Sequence, residues 1–119
     1  MIVLDETKRS EQIVKRLVDY AKEKGIVFNE KIDGFSDSSP YCIMKGGSSL
    51  SYRKQTRNWP VKNSIVVFAT DVDAENLNSK LGLKIYDNSK DKVRPNAVFI
   101  PRDMFDQALE VLAENPENI

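Results

Sequence analysis

Apolar residues fall at Ile13, Val14, Leu17, Val18 and Ala21, the three- and four-residue spacing that lines one side of a helix. Asp5 and Thr7 stand ahead of this run as candidate caps and Gly25 follows it, so a helix is predicted over about residues 6 to 24. Directly after Gly25 the period shortens. In IVFNEKID, Ile26, Phe28 and Ile32 occupy alternate positions, which predicts a first strand ended by the turn-rich GFSDSSP. Two β-prone runs, YCIM and SLSYRK, flank KGGS, whose paired glycines can take the positive φ of a tight turn. A hairpin is expected there.

Farther along, SIVVFA is almost continuously apolar, the pattern of a strand covered on both faces, and it is expected at the centre of the sheet. TDVDAENLNSKLG offers Asp71 or Asp73 as a helix cap, sets Ala74, Leu77 and Leu81 on one side, and stops at Gly82. LKIY then resumes strand character, and a strand, helix, strand unit predicts a right-handed crossover between parallel neighbours. The polar DNSKDKVRPN reads as an exposed loop and AVFI as a strand. Pro101 can open a last helix with Phe105, Ala108, Leu109 and Leu112 as its buried stripe, and the closing NPENI is expected to fray. The expected fold is α+β: a single-layer mixed sheet of five to six strands with an N-terminal helix, a short crossover helix and a C-terminal helix, in the order αββββαββα.

At 119 residues the chain is read as one domain, 1–119. The opening MIVLDETKRS holds too few apolar residues for a leader core or a membrane span, so no membrane partner is expected. Cys42 has no second cysteine to pair with, which points to a reducing, cytoplasmic compartment and to a buried structural thiol.

The residue types that are missing narrow the chemistry. Without histidine, Ser-His-Asp and Cys-His catalysis are excluded, and a lone cysteine removes thiolate-rich zinc sites. No phosphate-cradling glycine motif precedes a helix, so no cofactor is expected. Asp71 and Asp73, with Glu75, could gather a hard cation, but a helix N-terminus favours the same acids and no metal is assigned. The order helix, three strands, helix, strand resembles the core of restriction-endonuclease-like (PD-(D/E)XK) nucleases, which hold magnesium on strand carboxylates beside a lysine. Here Asp37 precedes Lys45, but Ile43 stands where the second carboxylate belongs. A metal-dependent nuclease built on Asp33, Asp37, Asp71 or Asp73 is therefore the least favoured of three functional readings.

The 18 basic and 18 acidic residues cancel, yet they are unevenly spread. Between Asp37 and Asp71 there is no acid, while Lys45, Arg53, Lys54, Arg57 and Lys62 bring +5. Among these cations lie Tyr52 and Trp59. Cations that meet phosphates and rings that stack on unpaired bases are the means by which single strands are held, so the seven residues form the candidate interface. The leading expectation is a non-enzymatic binding or regulatory domain whose partner is nucleic acid or an acidic protein surface. From Asp103 onward only acids occur: Asp103, Asp106, Glu110, Glu114 and Glu117. That acidic helix suits a second expectation, a small protein-binding inhibitor or immunity-type factor, and it could also meet the basic segment of a second copy in a homo-oligomer.

Overall fold

The structure, a computed structural model, describes residues 2–29, 40–54 and 63–119. Its helices are α1 (Ser10–Glu23), α2 (Asp71–Leu81) and α3 (Phe105–Glu114). Its strands are β1 (Tyr41–Ile43), β2 (Ser49–Arg53), β3 (Ser64–Ala69), β4 (Tyr86–Asp87) and β5 (Asn96–Ile100). One five-stranded sheet has the spatial order β1-β2-β3-β5-β4, so SIVVFA, as β3, lies in the middle with all six residues buried. The α+β class and the succession of helices are as expected, and no helix among the described residues is long and apolar enough to cross a membrane.

Every neighbouring pair of strands is antiparallel, which corrects the expected mixed sheet. β3 and β4 do point the same way, but β5 lies between them. AVFI, the more apolar run, fills the interior place beside β3, whereas in LKIY both Lys84 and Ile85 are exposed and only Tyr86 reaches the ladder, at the edge. The expected first strand is also reduced. Over 26–29 it makes one isolated bridge, Phe28 to Met44, and the rest of its expected span lies outside the described residues. Val27 spends its amide elsewhere, donating to the Asn118 carbonyl at 2.9 Å.

The sheet has two unequal faces. Leu50, Tyr52, Ile65, Val67, Val98 and Ile100 belong to the main core, packed against the apolar sides of the helices. α1 lies over β1 and β2, α2 over β3 and β5, and α3 packs on α2. Tyr20 of α1 stacks on Phe105 of α3 with 5.9 Å between ring centroids, and its hydroxyl donates to Asp106. On the other face Val66, Phe68 and Ala97 form a smaller buried cluster with Tyr86 and Phe99, and among the described residues no helix side chain joins it.

Local chemistry explains the helix ends. Gly25 and Gly82 take positive φ where α1 and α2 stop, and the Gly82 amide donates to the Asn78 carbonyl at 2.8 Å. The cap of α2 is Thr70, not either of the expected aspartates, and its hydroxyl accepts from the Asp73 amide. Asp71 turns to β5 and accepts from Asn96 Nδ2 at 2.9 Å.

Asp73 is fully buried. Its carboxyl group accepts from Ser48 Oγ at 2.5 Å, Asn115 Nδ2 at 3.0 Å and Asn118 Nδ2 at 3.2 Å. Ser48 in turn accepts from the Thr70 amide at 3.1 Å, and Asn118 also donates to the Leu112 carbonyl at 2.9 Å. The closing residues therefore do not fray: Pro116–Asn118 form a 3-10 turn with Asn118 wholly buried. The amide of Asn118 lies hard against Gly46, where an added Cβ would stand 2.4 Å from Oδ1.

Asp73→Ala would leave the buried Ser48 and Asn118 and the half-buried Asn115 without their shared acceptor, and a loss of about 2–4 kcal/mol is expected in urea unfolding. Gly46→Ala should cost about 1–3 kcal/mol by overpacking against Asn118. Wild-type midpoints for both would refute the arrangement.

Candidate nucleic-acid interface

Four of the seven residues singled out from the sequence are described, and the fold separates them. Lys45 sits in the β1–β2 turn, where its ammonium donates to the Ile119 carbonyl at 3.0 Å. Arg53 and Lys54 lie at the opposite end of β2. Tyr52 faces the helices with none of its surface exposed, so its ring is no platform for a base. Burial pushes its phenol above the ordinary range, and its hydroxyl lies 3.4 Å from both Glu6 Oε1 and Arg102 Nη2. Arg53, one position on, faces the other side of the sheet with its guanidinium 5.2 Å from the Phe68 ring centroid. Burial holds that guanidinium below the usual arginine range. Arg57, Trp59 and Lys62 lie outside the described residues.

Lys54 is the residue that finds new company. Its ammonium donates to the Lys8 carbonyl at 2.6 Å, which ties the end of β2 to the approach of α1. Lys8, Arg9, Lys15 and Arg16 are exposed along that approach and the first two turns of the helix. Sequence reasoning passed over them because Asp5, Glu6, Glu11 and Asp19 are interleaved and the local sum is near zero. In three dimensions several of these acids are already engaged. Asp5 accepts from the Thr7 amide at 3.0 Å and hydroxyl at 2.6 Å, Glu6 pairs with Arg102, and Asp19 with Lys15 at 3.0 Å. The Thr7 hydrogen bonds hold the Asp5 carboxyl below the usual range. The signal available from the sequence was the helical spacing of residues 9, 12 and 16, which sets Arg9, Gln12 and Arg16 on one side.

The other candidate features are largely absorbed by the fold. Asp73 is enclosed, Asp71 is bound to Asn96, and no group of three metal-binding side chains exists among the described residues. Asp33 and Asp37 lie outside them. Cys42 is buried. In the acidic helix, Asp106 accepts from Tyr20, which holds its carboxyl below the usual range, and Glu114 pairs with Lys80. The polar loop after β4 is built on Asp91, which accepts from the amides of Val93 at 2.9 Å and Arg94 at 3.0 Å. Arg94 then donates to the Gly47 carbonyl at 2.8 Å, fastening this loop to the β1–β2 turn. No protein-family model, curated protein or solved structure matches the chain.

The amide of Arg94, foremost, together with that of Val93 holds the Asp91 carboxyl below its ordinary range, so the folded loop favours the ionised form. The associated stability is present above the unfolded value of about 3.9 and is lost as pH falls through the lowered folded value. Amide resonances of Val93 and Arg94 should therefore keep their folded positions at pH 5 and shift only below about pH 4. A shift complete near neutrality would contradict this anchor.

Proposed function

We propose that the chain is a nucleic-acid-binding domain and that its contact surface is the junction of β2 with the start of α1. The observation that carries this reading is the 2.6 Å hydrogen bond from Lys54 to the Lys8 carbonyl. It brings a cation of the acid-free stretch to Lys8, which shares a cleft with Arg16, and so joins cations from two distant parts of the chain in one basic track. Phosphates are recognised by such a track through charge, without any demand on base sequence. The buried Tyr52 takes no part, and Lys45, fixed at the far end of β2, lies away from the track.

The acidic helix offers a protein partner less than its sequence suggests, because Asp106 and Glu114 are engaged within the chain. A nuclease reading has no support in Asp73, whose carboxyl group is buried and already accepts from three side chains.

Three phosphate contacts from Lys8, Arg16 and Lys54 predict a slope of about −2 for log affinity against log salt on a single strand. Fluorescence anisotropy with a labelled oligonucleotide measures it. Replacing all three by alanine should remove binding at low salt while circular dichroism stays unchanged. Wild-type protein that fails to bind any oligonucleotide at low salt would overturn the proposal.

A further inference from the structure

Beside the basic track the surface is hollowed. The segment before α1 runs along the helix and leaves a cleft of about 360 Å³ between Val3 and Leu4 on one side and Gln12, Ile13 and Arg16 on the other. This is near the lower end of the range for small-ligand sites, room for one heterocycle and its sugar. The walls are held in place. Ile2 and Ile13 are buried on either side, the Lys8 amide closes a turn onto the Asp5 carbonyl at 3.2 Å, and Thr7 locks the Asp5 side chain. Val3 is 79% exposed, an apolar side chain left facing water at the mouth of the cleft.

Resting on the nucleic-acid reading above, we propose that this cleft takes one unpaired base of a single strand, with adenine preferred. The apolar side chains of Val3 and Leu4, with the buried Ile13 behind them, suit the faces of a flat ring. The Gln12 amide presents a donor and an acceptor together, the pair that matches N7 and the N6 amino group of adenine. Asp5 also lines the cleft. Its negative charge favours a base amino group and keeps phosphate out, so the phosphates on either side fall to Lys8, Arg16 and Lys54. A smaller hollow of about 190 Å³ adjoins across Gln12, lined by Arg9, Glu11 and Lys15, and it continues the path beyond the base. A base held in a duplex cannot reach such a cleft, so the site selects single strands.

The test is anisotropy with the full chain and four probes: an oligo(dA), an oligo(dT), an abasic strand of equal length and a duplex. Oligo(dA) should bind tightest. Gln12→Ala, an exposed position, should weaken oligo(dA) by about tenfold and leave the abasic strand and the salt slope unchanged. Urea unfolding of the variant confirms that folding is intact. Equal affinity of the wild type for oligo(dA) and the abasic strand, with the salt slope retained, would overturn the base-binding cleft and leave the phosphate track standing. Failure to bind any probe at low salt would overturn both.

Discussion

The fold depends most on the burial of one carboxyl group. A buried acid is costly unless its oxygens are supplied with donors, and Asp73 draws three of them from two distant parts of the chain: Ser48 after the β1–β2 turn, and Asn115 and Asn118 beyond α3. It sits in the first turn of α2, where the helix dipole favours negative charge, and its own amide completes the Thr70 cap. The hairpin turn, the start of α2 and the final residues are thus fixed relative to one another by a shared acceptor. Apolar packing alone would permit these elements to slide, whereas hydrogen bonds in a dry interior fail if any partner moves.

The two ends of β2 have different characters as a result. At the Asp73 end the chain is tightly cross-braced, with Arg94 and Lys45 adding bonds to backbone carbonyls. At the other end, Lys54 and Arg102 connect the sheet to the segment before α1 through exposed or half-buried polar groups. The first end carries rigidity, and the second presents cations and an apolar hollow to solvent. The proposed interface thus lies at the less braced end, on a sheet whose far end is held fixed.

What the sequence made legible follows from periodicity. The stripes of α1 and α3, the continuous apolar run of β3 and the glycine turn of the hairpin each have a local cause, and each is found in place. Strand order was not legible, because the choice of AVFI over LKIY as the neighbour of β3 depends on how much each run buries in the finished sheet. The depth of Asp73 was hidden for the same reason: Thr70-x-x-Asp73 reads as a helix start, and its donors lie 25 to 45 residues away. For the candidate interface, a linear charge sum found Lys54 but misjudged its setting. Consecutive residues of a strand face opposite ways, so Tyr52 and Arg53 could not share a surface however well their chemistry matched. The cations of α1 were masked by acids that fold into local pairs.

The close fit of Asn118 against Gly46 also has a bearing on how the chain acquires its shape. Residue 118 follows α1, α2, α3 and all five strands along the chain, yet it bonds to the amide of Val27, touches the turn at Gly46 and completes the donors of Asp73. Until it emerges, a nascent chain holds α1, the hairpin and α2 with an acid in their midst that lacks two of its donors. Such an intermediate would be loose, hydrated at the centre and open to association with its neighbours. Closure of this core then waits on both asparagines beyond α3.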